Sequence, residues 1–323
     1  MIKNKNFFSS ITKATLFSKK LISPLFIFIL FFTFSLQKIQ GENRPNMGIG
    51  NLKYLQKAYP DIRFERSWDK NVQDWKITMT IPSDLSEKKE ERKVELYWCN
   101  GSLLPESELK NSNMYWSILY PYEEELKDPA ELSEDEKSKI REFSSSDNRK
   151  NGAGTPMFFF DAVYSSSTRA SLEKHLTRIT FLGHNATVHN RVVEPLKKVE
   201  KKINAIAKKD KEVSSFLTTI KSNDSYFWRI INGTNRKSFH SLGIAMDILP
   251  KKLNGKAIFW SWTKEADPEN WMLTPLNRRW IPPQKVIDAF ESEGFIWGGK
   301  WIIFDNMHFE YHPELLEYSK QFY

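Results

Sequence analysis

Gly243-Ile-Ala-Met-Asp-Ile248 and Met307-His-Phe-Glu-Tyr-His312 are the two stretches on which the fold turns. In the first, period-two alternation puts Ile244, Met246 and Ile248 on one face and Ala245 with Asp247 on the other. In the second, Met307, Phe309 and Tyr311 share a face, and His308, Glu310 and His312 share the opposite one. Both read as strands with one core side and one polar side. If they pair, facing Cβ atoms lie about 4.5–5.5 Å apart, so Asp247 and His308 reach the same ion. His240, in Ser238-Phe-His-Ser-Leu-Gly243, is the third candidate ligand, because Gly243 permits a turn that brings its ring back over the strand. Two neutral imidazoles and one carboxylate suit zinc and leave one tetrahedral position for water. Zinc lowers the pKa of that water to about 7, and a nearby carboxylate can take its proton. Asp305 is the candidate base, with Glu310 as its rival. Residues three apart on a regular strand face opposite ways, so Asp305 is expected before the strand or behind a bend near Asn306.

Outward from these strands, Val188, Val192, Leu196, Val199, Ile203 and Ile206 recur every three or four residues, predicting a long helix from about Thr187 with lysines on its far side. Pro282 and Pro283 suit a helix start, Val286, Ile287 and Phe290 its buried face, and Gly294 its stop. The stretch from Pro250 to Pro283 holds Trp260, Trp262, Trp271 and Trp280, either as a lid or binding wall or as cover for the domain's own apolar surface. Towards the amino terminus, Trp75-Lys-Ile77-Thr-Met79 and Val94-Glu-Leu96-Tyr97-Trp98 alternate like strands, the second ending on Asn100-Gly101. Glu131 to Glu142 reads as a solvated helix, and Ser144 to Gly154 as an exposed linker. The expected organisation is a leader over 1–41, a small β-rich accessory domain with linker over 42–155, and a second domain over 156–323 that carries the two strands.

The chain has 323 residues, a formal charge of +8 and one cysteine, Cys99. One cysteine excludes an intrachain disulfide framework and a cysteine zinc finger, leaving His and carboxylates to hold any metal. Six lysines and no acid fall within residues 1–41, so the remainder carries 42 basic against 40 acidic residues. The basic balance therefore gives no reason to expect a nucleic-acid partner. Those lysines precede an apolar run from Leu21 to Leu36, shorter than the roughly 20 residues of a spanning helix and suited to a secretory signal peptide. Cleavage is expected near Gly41/Glu42, with Ser35 as the alternative site, and an uncleaved leader would be the one membrane contact. Either way the working part is expected outside the cytoplasm, periplasmic or associated with the cell envelope.

Ser238, His240, Gly243, Ala245 and Asp247 complete the pattern Ser-x-His-x-x-Gly-x-Ala-x-Asp, and Asp305-Asn-Met-His308-Phe-Glu310 follows Trp297-Gly-Gly-x-Trp301. Over about residues 180–312 the chain thereby resembles the zinc D-alanyl-D-alanine carboxypeptidase and L-alanyl-D-glutamate peptidase family, the VanX/VanY-like group. The resemblance implies an α+β fold, an antiparallel sheet with helices on one side, similar to hedgehog signalling domains. It also implies His240, Asp247 and His308 as zinc ligands, Asp305 as general base, and an upstream cation, Arg229 or else Arg236, polarising the scissile carbonyl. The reaction implied is hydrolysis of amide bonds in peptidoglycan stem peptides by zinc-bound water, with D,D-carboxypeptidase activity ahead of L-Ala-D-Glu endopeptidase activity or a non-catalytic zinc module that binds cell wall.

Overall fold

A computed structural model describes residues 47–83 and 91–323, a mixture of helix and antiparallel sheet that makes the chain α+β, as expected. The expected leader and its cleavage point lie outside the described residues. Among the described residues, no helix is long and apolar enough to cross a membrane.

Helix α1 (Leu52–Ala58) leads into β1 (Arg63–Asp69), β2 (Asp74–Pro82) and β3 (Glu91–Tyr97), an antiparallel sheet in that order. Ile77, Met79 and Ile81 alternate inward along β2, which is the period the sequence carries. Asn100 and Gly101 both take left-handed backbone, with φ of 54° and 84°, the conformation that favours Asn-Gly at a turn. The charged stretch forms α2 (Glu134–Phe143), opened by a capping box in which Ser133 Oγ accepts from Glu136 N and the Glu136 carboxylate accepts from Ser133 N. Residues 144–154 depart from expectation. In place of an exposed linker stands α3 (Ser146–Asn151), capped by Ser145 Oγ accepting from Asn148 N. Gly154 exchanges backbone bonds with Met114 and Trp116, and Arg236 donates to the carbonyls of Asn148 and Gly152. Serine and asparagine are here the vocabulary of a helix start, not of a tether.

Helices α4 (Met157–Val163) and α5 (Arg169–Leu172) precede a hairpin of β4 (Leu176–Phe181) and β5 (His184–His189), and then the long α6 (Asn190–Ala207). Val192, Leu196, Val199 and Ile203 are its buried stripe. The helix begins three residues after Thr187, because Thr187 and Val188 pair with β4 and His189 is the N-cap, its Nδ1 accepting from Arg191 N. Helix α7 (Lys211–Thr219) leads into β6 (Ile220–Asp224), the first of four strands that include β7 (Ala245–Pro250), β8 (Phe295–Trp297) and β9 (His308–Tyr311). They lie in the order β6-β7-β9-β8, every pair antiparallel. Helices α8 (Trp260–Ala266), α9 (Gln284–Glu291) and α10 (Pro313–Ser319) complete the chain.

Helix α9 buries Val286, Ile287 and Phe290, and Phe290 stacks on Phe309 with 4.0 Å between ring centroids. The Phe309 side of β9 thus carries a helix, which leaves the other side to the polar residues. Leu55, Ile77, Phe160, Leu196, Ile248 and Phe309 all belong to one continuous buried cluster. Members of that cluster lie on both sides of residue 155.

Candidate metal centre

Strands β7 and β9 pair in the register Asp247↔His308, Met246↔Phe309 and Ala245↔Glu310. Facing positions put Asp247 Oδ1 2.7 Å from His308 Nδ1. His240 arrives from a single 3-10 turn, Phe239–Leu242, whose amino end is capped by Ser238 Oγ accepting from His240 N at 3.3 Å. The turn closes at Gly243, φ 69°, where a Cβ would meet Leu176 Cδ2 at 2.8 Å and the backbone nitrogen of His189 at 2.9 Å. Only glycine meets both demands, which accounts for its place three residues after the histidine. The result puts His240 Nε2 3.2 Å from His308 Nδ1 and 3.3 Å from Asp247 Oδ1.

Each imidazole has its other nitrogen tied. His240 Nδ1–H donates to the carbonyl of Ser225 at 2.7 Å, and His308 Nε2–H donates to Glu310 Oε1 at 2.8 Å. Both remaining nitrogens turn to Asp247, so the tautomers suit metal ligation. His240 and His308 are buried and Asp247 half-buried. Burial alone would raise the Asp247 carboxyl, but hydrogen bonds and charge from His240 and His308 outweigh it and hold the group well below the usual carboxylate range. At His308, burial opposes charge, yet Glu310 and Asp247 together favour the protonated ring. That positive charge is what a divalent cation would replace.

The donor set fits zinc. Metal–ligand bonds of about 2.0–2.2 Å imply tetrahedral edges of roughly 3.3–3.6 Å. The two edges from His240 Nε2, at 3.2 and 3.3 Å, are already close, and the Asp247–His308 edge at 2.7 Å must open by several tenths of an ångström. The three donors lie within 4.8 Å of one another.

Asp305 lies before β9, as the strand argument requires. A turn closed by His308 N donating to Asp305 O precedes the strand, and Asp305 itself bridges to Phe259. The Trp297-Gly-Gly-x-Trp301 segment holds that turn. The Gly298 carbonyl accepts from both Asp305 N and Trp301 N, and Trp297 Nε1 donates to Asn306 O. A Cβ on Gly299 would come within 2.1 Å of the Trp297 ring, so the second glycine is needed for close approach. The Trp301 ring stands 5.4 Å from that of His308. Asp305 Oδ1 is buried and meets no donor among the described residues. Desolvation, reinforced by the charges of Asp247 and Glu310 and opposed by His308 and Arg229, pushes this carboxyl up to about 7.

The two candidate arginines separate. Arg236 is committed to the carbonyls of Asn148 and Gly152 and lies over the Trp116 ring. Arg229 has an exposed side chain whose charge reaches Asp305. Its backbone is fixed to the His240 turn through Ser241 Oγ, which accepts from Arg229 N and donates to Arg229 O, both at 2.8 Å. Glu310, read as a rival base, has both carboxylate oxygens engaged, by His308 and His312. Of the four tryptophans of the long stretch, Trp260 and Trp271 are buried against each other, Trp280 is half-buried and Trp262 is exposed. Sequence reasoning missed the Ser225 carbonyl and the Ser241 hydroxyl. A carbonyl leaves no mark on residue type, and a serine inside a motif reads only as a spacer.

The fold and site define an α+β chain with a largely buried His-Asp-His centre and, close by, an acid whose buried Oδ1 has no partner among the described residues. Residues 232–311, which contain His240, Asp247, Asp305 and His308, match the family described as D-alanyl-D-alanine carboxypeptidase, so the resemblance read from the motifs holds over that stretch. Arg229 falls just outside it. Residues 51–120 match a second family, described as a domain of unknown function. No solved structure matches the chain.

Proposed function

We propose that the protein is an exported zinc peptidase that hydrolyses amide bonds in peptidoglycan stem peptides, with D,D-carboxypeptidase activity as its reaction. The observation that carries this reading is the unpaired, buried Asp305 oxygen beside three convergent metal donors, all inside the stretch that matches the carboxypeptidase family. A zinc-binding module that only adhered to cell wall would have no use for an unsatisfied carboxylate, since a buried polar atom without a partner costs about 1–3 kcal/mol.

His240, Asp247 and His308 would hold the ion, and what bound zinc supplies at such a site is Lewis acidity. Asp305, poised near neutrality, accepts a proton from the attacking water and returns it to the leaving amine. Arg229, exposed and anchored through Ser241, meets the negative charge that develops on the scissile carbonyl or the terminal carboxylate of the stem peptide. In this reading residues 156–323 carry the chemistry, residues 42–155 are the accessory region, and the lysine-rich leader delivers both to the envelope.

Incubating the protein with purified muropeptides, with and without a chelator, tests the reading by mass spectrometry. Chelator-sensitive loss of the terminal D-alanine is the expected result. Cleavage between L-alanine and D-glutamate would move the assignment to the endopeptidase branch, and no metal-dependent cleavage of any bond would overturn it.

A further inference from the structure

The polar face of β9 continues past Glu310. His308, Glu310, His312 and Glu314 stand at every second position, imidazole and carboxylate in turn. Their side chains join end to end. His308 Nε2 is 2.8 Å from Glu310 Oε1, His312 Nε2 is 3.1 Å from Glu310 Oε2, and His312 Nδ1 is 2.6 Å from Glu314 Oε1. The Tyr59 hydroxyl then donates to Glu314 Oε2 at 2.8 Å and lies 3.4 Å from the Tyr164 hydroxyl. Every member is buried.

The Glu310 and Glu314 oxygens face His308 Nε2 and both nitrogens of His312, so neither imidazole can flip without stranding a buried acceptor. The rings of Phe160 and Phe239 stand edge-on to His312, with centroids 5.4 and 4.6 Å away. Phe239 is the neighbour of His240, so the same clamp touches both metal-bearing segments. Apolar side chains of similar volume would hold a fold as well as buried ions do, or better. What an ionic chain offers in addition is fixed direction, and this one ends on the ring of His308.

We propose that His312, Glu314 and Tyr59 are positioning residues for the metal centre. Acting through Glu310, they fix His308 with Nδ1 turned to Asp247 and His240. Tyr59 lies in the stretch 51–120, so the accessory region supplies the outer link of the relay and is part of the site. The inference rests on the zinc reading of His240, Asp247 and His308.

The test measures zinc affinity of the full-length chain by competition with a chromophoric chelator, together with the visible spectrum of the cobalt(II)-loaded protein. Glu314→Gln is expected to weaken zinc about 10-fold and shift the cobalt bands, the low end of the roughly 10–100-fold seen for residues behind a ligand. Tyr59→Phe, which deletes a single hydroxyl, should move both readouts in the same direction by a smaller factor. Ile287→Val trims the core in α9, on the helix side of the sheet, and should leave affinity and bands unchanged while lowering the urea midpoint. Wild-type affinity and bands in both relay variants overturn the proposal, and should Glu314→Gln not fold, Tyr59→Phe decides alone on the same readouts. Weakened zinc binding in variants of a chain that cuts no muropeptide sinks the peptidase reading and leaves the relay standing. Intact cleavage with unmoved affinity does the reverse, and a wild-type chain that binds no zinc overturns both.

Discussion

A carboxyl oxygen buried without a donor has nothing to gain from ionising, and the Asp305 group accordingly sits near 7. Its contribution lies in taking and returning a proton, which Asn of the same shape cannot do. Asp305→Asn is expected to keep zinc at one equivalent by equilibrium dialysis and to lose about 100- to 10,000-fold in turnover of muropeptide. Wild-type turnover in that variant would remove Asp305 from the reaction. Gly243 is a second position where one residue decides the site. Alanine there takes on about 1–2 kcal/mol of left-handed strain, and its methyl would press on Leu176 and on the backbone of His189. Gly243→Ala should therefore lower the urea midpoint and, by displacing the His240 turn, weaken zinc as well. The positions of His240, Asp247 and His308 were legible because strand alternation and one glycine leave their side chains few directions. His312 and Glu314 were not, although the sequence marks them at every second position. Their outer partner, Tyr59, stands 255 residues from Glu314, and no local period reaches that far.

Elements built on one strong period were the readable ones. The β2 alternation, the α6 stripe and the α9 face each follow from apolar spacing that a single buried side imposes. Boundaries were less so. Thr187 to His189 continues the apolar rhythm of α6 into β5, because a strand end and a helix start can share Val188 as a buried residue, and the choice is made by pairing with β4. Residues 144–154 went wrong for a related reason. Polar, small residues describe both a tether and a capped helix, and only the long-range bonds donated by Arg236 and by Trp116 N tell them apart. At this scale the α9–β9 contact is the one that bears on the site, since Phe309 lies between His308 and Glu310 in sequence and rests on Phe290. Phe290→Ala removes the pad beneath the strand that carries the donors. The expected cost is about 3–5 kcal/mol in urea denaturation, with zinc affinity falling because β9 can shift in the cavity left behind. A variant that lost stability yet bound zinc as tightly as wild type would show that the register of β7 and β9 alone sets the donors.

Across the whole molecule, a single charge ties the two matched stretches together. His312 faces Glu310 from β9 and Glu314 from α10, with the Phe160 and Phe239 rings on its flanks and Tyr59 and Tyr164 beyond Glu314. Burial by itself would depress this imidazole, but the charge of Glu314 and the hydrogen bonds to both carboxylates win and raise it to about 9. In the unfolded chain a histidine titrates near 6.5. The folded value is the higher one, so folding takes up a proton between the two values and stability falls as pH rises through that window. The contribution is fully present below about pH 6.5, declines from there, and is gone above about 9, a loss on the order of 3 kcal/mol. Urea denaturation of the zinc-loaded protein from pH 6 to pH 9.5 should show that decline. His312→Gln should be less stable throughout, since it leaves two buried carboxylates facing an uncharged amide, and its stability should lack the histidine's slope between 6.5 and 9. A wild-type curve that stayed level or rose across the window would mean that the folded protein takes up no proton there, and that His312 is held as a neutral ring.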